Sequence, residues 1–196
     1  PARTQRHQEI ARTHTLPLAT SKYKQHIIMP TNETNESKQL NLDLRYLRMA
    51  RIWAENSYCK RRQVGALVVK DKMIISDGYN GTPSGFENIC EENNVTKPYV
   101  LHAEANAITK LARSSNNSEG STLYVTASPC IECSKLIIQS GIKRVVYAEK
   151  YRLTDGVDLL KRAGVVVEYM NPDEEASLET EDSQEETSSQ KETPEK

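Results

Sequence analysis

Three observations predict an α/β fold with helices layered on a mixed sheet. Short apolar strands alternate with helical segments between about residues 40 and 171. The first two strands are separated only by a hairpin-length turn, and each later strand is followed or preceded by a helix. Leu44, Leu47, Arg51 and Ala54 recur at helical spacing, with Asn41 or Asp43 as cap, which predicts a helix over 42–57. Val64 to Val69 is a short apolar strand and Met73 to Gly78 a second, joined by Lys70-Asp71-Lys72. His102 to Ala112 is read as a helix. Thr122 to Thr126, β-branched and aromatic, is read as a strand. Cys133 to Ser140 is a helix stopped by Gly141. Arg144 to Ala148 is a strand, Asp155 to Ala163 a helix closed by Gly164, and Val165 to Tyr169 the last strand.

The 196 residues suit one ordinary domain. Residues 1–39 lack a sustained apolar period and end in the polar run Pro30 to Ser37, so they are expected to be extended or disordered. The segment 172–196 is dominated by acids, with Lys191 and Lys196 as its basic residues, and is expected to be a solvated, disordered tail. The folded domain is therefore placed at 40–171. A net charge of −1 offers no global basic field for nucleic acid. No stretch reaches the roughly 18 uninterrupted apolar residues of a membrane helix. No charged-then-apolar leader opens the chain, so no secretory signal is expected.

The four cysteines are Cys59, Cys90, Cys130 and Cys133. The last two form a C-x-x-C after Pro129, with His102-Ala103-Glu104 upstream. That combination favours a metal over a disulfide and a reducing, cytoplasmic setting. Cys thiolate and neutral His are the ligands zinc prefers, and three protein ligands leave the open fourth position of a catalytic site. His102 opens one helix, and Cys130 and Cys133 open another. A helix N-terminus supplies free N–H donors and a positive dipole end, which hold a thiol as thiolate. Cys130 and Cys133, three apart, face the same side of one turn. Glu104, two residues after His102, is offset from that tetrahedron and suited to carry protons for a molecule beside the metal. The H-x-E…P-C-x-x-C pattern is that of zinc-dependent nucleobase deaminases. The competing reading is a structural zinc in an interaction module, with Cys59 and Cys90 as spare ligands.

The chain resembles the cytidine/deoxycytidylate deaminase superfamily, and within it the deoxycytidylate (dCMP) branch. The resemblance runs from about Leu40 to Tyr169. It rests on Val64-Gly65-Ala66, Gly78-Tyr79-Asn80-Gly81-Thr82-Pro83-Ser84-Gly85, His102-Ala103-Glu104 with Asn106-Ala107-Ile108, Leu123-Tyr124-Val125-Thr126, Pro129-Cys130 with Cys133, and Gly141-Ile142-Lys143. It implies a three-layer cytidine-deaminase-like fold, with a five-stranded mixed sheet flanked by helices. It implies zinc held by His102, Cys130 and Cys133, with Glu104 as the catalytic proton shuttle. It further implies that Asn80 bonds the sugar, the Ala103 backbone holds the base, and Ser57, Arg61 and Tyr151 grip the 5′-phosphate. The activity implied is hydrolysis of dCMP to dUMP and ammonia, supplying dUMP for thymidylate synthesis. The family is often hexameric, activated by dCTP and inhibited by dTTP. Gly78, Tyr79, Gly81, Pro83 and Gly85 would belong to the effector site, with Mg accompanying dCTP. Some relatives hold a second zinc through cysteines at positions matching Cys59 and Cys90 together with an inserted His. No His lies between Cys90 and His102, so these two are expected to be ordinary thiols, close in space. The competing enzymes are deaminases of cytidine, guanine or tRNA adenosine. The tRNA reading calls for a basic surface, and the domain carries no basic run beyond Lys60 to Arg62.

Overall fold

A computed structural model describes residues 34–173 of the chain. The acidic tail from residue 174 and the segment before residue 34 lie outside the described residues. Helix α1 runs Asn35–Ala54, followed by strands β1 (Gly65–Lys70) and β2 (Met73–Tyr79) and a small hairpin, β3 (Glu91–Glu92) and β4 (Val95–Thr96). Then come α2 (Ala103–Leu111), β5 (Thr122–Ala127), α3 (Ile131–Gln139), β6 (Arg144–Glu149), α4 (Asp155–Arg162) and β7 (Val166–Tyr169). Among the described residues, no helix is long and apolar enough to cross a membrane.

The five-stranded sheet has the order β2-β1-β5-β6-β7. β1 pairs antiparallel with β2 and with β5, whereas β5, β6 and β7 run parallel. The sheet is therefore mixed, as expected: the hairpin supplies the antiparallel half, and helical crossovers supply the parallel half. The two-residue side-chain period divides the core into two layers. Ala66 and Val68 of β1, Leu123 and Val125 of β5, and Val145 and Tyr147 of β6 face one side, where Ala103, Ala107, Ile137 and Leu160 meet them. Leu67, Val69, Tyr124, Val146 and Ala148 face the other, where Leu47 and Ala50 of α1 cover them. The result is α1, sheet, then α2, α3 and α4.

Most element boundaries differ from the sequence reading by one or two residues, and three of the differences have a visible cause. α1 begins at Asn35, so the extended segment does not reach residue 39. Thr34 accepts from Ser37 N at 3.2 Å and caps a helix whose first two turns are almost wholly polar. The same helix ends at Ala54, where Ser57 N bonds back to Ala54 O at 2.9 Å. The first hairpin turn is Asp71-Lys72 alone, both at positive φ, with Lys70 already paired to Met73. A buried cluster ties the layers together: Asp43 accepts from Arg144 Nη1 at 2.8 Å and Nη2 at 2.7 Å, and from Tyr124 Oη at 2.6 Å. Arg144 also pairs with Glu168 of β7.

Two glycines let helices reach the sheet end where the site lies. A Cβ on Gly78 would collide with the Ala103 carbonyl of α2. A Cβ on Gly156 would collide with the Pro129 carbonyl and the Cys130 backbone. The first holds α2 down on β2, and the second holds α4 against the start of α3.

Candidate active site

His102 and Cys130 are the N-cap residues of α2 and α3, both in extended backbone and neither using its side chain to cap. Their side chains are thereby free to turn toward each other. His102 Nδ1 lies 3.4 Å from Cys130 Sγ and 3.4 Å from Cys133 Sγ. The three donor atoms lie within 4.8 Å of one another, and among the described residues they form the one such group of His, Cys, Asp or Glu. A tetrahedral ion with Zn–N near 2.0 Å and Zn–S near 2.3 Å requires N···S separations of roughly 3.5 Å. The donor set fits zinc in chemistry and in spacing, and it leaves a fourth position for a small molecule.

Electrostatics agree with a cation site. Hydrogen bonds from Cys133 and His102 hold the Cys130 thiol down to about 3. Its hydrogen bond to Cys130 and its burial push the more enclosed Cys133 thiol up. One thiolate is thus stabilised before any ion arrives, and a cation favours the second. Glu104 is 4% exposed on the first turn of α2. Burial pushes its carboxyl above the usual range, against the opposing effects of its own backbone N–H and of His102. Glu104 lines the same cleft as His102 and Cys130, so it sits beside the donor set.

His102, Glu104 and Cys130 line a cleft of about 510 Å³, a size suited to a small molecule. Asn80, Ala103, Arg61 and Tyr151 also line it, so the structure brings most of the sequence-predicted substrate residues together. Asn80 is more committed than expected: its Oδ1 accepts from Val64 N at 2.7 Å and its Nδ2 donates to Arg62 O at 2.8 Å. One lone pair and one N–H remain for a ligand. Ser57 is not brought into the cleft. It is buried, donates to Asn80 O at 2.7 Å and accepts from Cys59 N at 3.2 Å, so it shapes the wall from behind.

Four polar lining residues were missed by the sequence reading. Arg62 pairs with Glu149 at 2.6 Å and stands 5.6 Å from the Tyr151 ring centroid. Ser128 Oγ accepts from Tyr151 N at 2.9 Å. Glu91 and Thr96 come from the β3–β4 hairpin. The signal for that hairpin was Asn93-Asn94, a pair that tolerates the positive φ of both turn positions.

A separate cavity of about 380 Å³ is lined in part by the loop after β2. Tyr79, Gly81, Pro83 and Gly85 line it together with Asn106 and Lys110. Gly78 does not; it is spent on the approach of α2. Cys59 and Cys90 are not free thiols. They form a disulfide with a Cα–Cα distance of 5.1 Å, and they join no donor group, so the reading of them as extra zinc ligands fails.

The cytidine and deoxycytidylate deaminase zinc-binding region matches residues 40–149. ComE operon protein 2 of Bacillus subtilis is 38% identical over 134 residues, covering 66% of this chain and 71% of that protein. The deoxycytidylate deaminase of Enterobacteria phage T4 is 34% identical over 165 residues, covering 62% and 86%. A crystal structure of dCMP deaminase from the cyanophage S-TIM5, in complex with dCMP and dUMP, superposes with a TM-score of 0.64. It is 48% identical, with 70% of this chain and 99% of that chain covered. The donor geometry, the buried glutamate beside it and these matches lead to one conclusion: this chain belongs to the cytidine and deoxycytidylate deaminase zinc-binding family.

Proposed function

We propose that the chain hydrolyses dCMP to dUMP and ammonia. The observation that carries this is one cleft with a His/Cys/Cys donor set and Glu104 at one end and Arg61 on its wall. The 48% identity to a dCMP deaminase crystallised with dCMP and dUMP supports it.

Zinc, held by His102, Cys130 and Cys133, supplies Lewis-acid polarisation of a water molecule when bound. Glu104 does the proton work. Its carboxylate takes a proton from the attacking water and delivers it to the ring nitrogen. It then carries the second proton to the departing amine, so the C4–O bond forms and the C4–N bond breaks with no net change at Glu104. A carboxyl raised by burial lies closer to working pH and exchanges protons more readily in both directions. The free N–H of Ala103, first residue of α2, offers a donor to the base. The remaining amide capacity of Asn80 serves the sugar. Arg61 presents a planar fork to the 5′-phosphate, and Tyr151 lines the same cleft.

The same proposal includes regulation, with dCTP activating and dTTP inhibiting through the cavity lined by Tyr79, Gly81, Pro83 and Gly85, and Mg accompanying dCTP. It includes a homo-oligomer, supported by exposed Ile52, Trp53, Met73 and Ile74 on α1 and β2. It places the enzyme in the cytoplasm, where its dUMP would serve thymidylate synthesis. The test is ammonia release from dCMP, deoxycytidine, cytidine, guanine and tRNA, repeated with dCTP and dTTP. The expected result is turnover of dCMP far above that of every other substrate, with deoxycytidine only slowly converted, and moved by the two triphosphates. Cytidine turned over as fast as dCMP would refute the phosphate grip, and rates unmoved by either triphosphate would remove the regulation.

A further inference from the structure

The β3–β4 hairpin, residues 91–96, has no part in the chemistry above, yet its polar links to the segment after α1 fall on Lys60 and Arg61. The Glu91 carboxylate accepts from Lys60 N at 3.1 and 3.2 Å and from Arg61 N at 3.3 Å. Thr96 Oγ1 accepts from Arg61 Nη1 at 3.2 Å. The Cys59–Cys90 disulfide fastens the two segments immediately beside these bonds. Glu91 and Thr96 both line the cleft. One residue of the hairpin thus holds the Arg61 backbone, and the other holds its guanidinium.

Arg61 needs such holding. It is an exposed side chain on a segment without helix or strand, and a free arginine samples many rotamers. A guanidinium already aimed into the cleft loses less freedom when an anion arrives. The bond to Thr96 occupies one of five N–H donors, which leaves the fork able to bind phosphate. The carboxylate of Glu91 is taken up by two backbone N–H groups, which keeps the segment in one shape.

We infer that Glu91 and Thr96 are positioning residues that set the preference for a phosphate-bearing substrate by pre-ordering Arg61. The inference rests on the reading of Arg61 as the phosphate grip. The test compares kcat/KM for dCMP with that for deoxycytidine in Glu91→Gln, Thr96→Val, Thr96→Ser, Arg61→Gln and the Arg61→Gln/Thr96→Val double variant. The dCMP:deoxycytidine ratio should fall about 5- to 10-fold in Glu91→Gln and Thr96→Val, with the loss in KM for dCMP. Thr96→Ser, which keeps the hydroxyl, should restore it. The double variant should be no worse than Arg61→Gln alone, since Thr96 acts through Arg61. Equal losses on both substrates would make the hairpin mere scaffolding and overturn the inference. A KM for dCMP that drops in Glu91→Gln would mean that the carboxylate repels phosphate, which also overturns it. An unchanged ratio in Arg61→Gln would instead sink the phosphate-grip reading itself. A lowered ratio there with unchanged Glu91 and Thr96 variants would sink the hairpin inference alone.

Discussion

At the residue scale, Asp43 and Arg144 show how much a polar pair contributes when it is enclosed. Asp43 is 1% exposed. Burial alone would raise its pKa, but hydrogen bonds from Arg144, Tyr124 and Gln39 outweigh that and hold it below the usual carboxylate range. A folded value below the unfolded one means that the stabilisation is fully present above the unfolded carboxyl range, near pH 4. It is lost as pH falls through the depressed folded value. Asp43→Asn should therefore cost about 3 kcal/mol at neutral pH, because Arg144 keeps a charge with no carboxylate opposite it on α1. Thermal melts of both proteins from pH 7 to pH 2 check this. The gap between them should be widest at neutral pH and close below about pH 4; a constant gap would contradict the assignment. Single residues also show what is legible in a sequence. His102, Cys130 and Cys133 were readable because metal chemistry imposes residue type and spacing together. Ser57 was not, because whether a hydroxyl faces a cleft or the wall behind it depends on packing across 23 residues to Asn80.

At the scale of elements, four helices and five strands were legible because each is long enough to show its period. The β3–β4 hairpin was not, since two-residue strands carry no alternation. The early start of α1 was hidden for a related reason: Asn35 to Asn41 has almost no apolar face to betray a helix. The meeting of α2 with β2 makes a sharper prediction. The Ala103 carbonyl and Ala107 backbone sit directly over Gly78. Gly78→Ala should lift α2, destabilise the fold by about 1–3 kcal/mol, and displace His102 and Glu104 with the helix. Urea denaturation and zinc content measured together check it. Wild-type stability with full zinc would show that α2 does not depend on that contact.

For the molecule as a whole, the sheet provides one end at which the N-termini of α2 and α3 meet, and both donate a cap residue to the site. Helix ends carry positive potential and unpaired N–H groups, so the fold itself favours thiolates there. The cleft then extends from the donor set to Arg61 and Tyr151, the length along which base, sugar and phosphate are proposed to lie. The class of fold and the metal donors could be read from the sequence; the wall built by the small hairpin and the disulfide beneath it could not, because both arise from contacts distant in the chain. The most direct test of the account is Glu104→Gln. Glutamine preserves the shape of the buried site and removes the group that carries protons. Zinc content and dCMP turnover are measured on the same zinc-loaded preparations. The account predicts wild-type zinc content with turnover reduced at least ~10²-fold, the usual scale of acid–base catalysis. Turnover at the wild-type rate would contradict it.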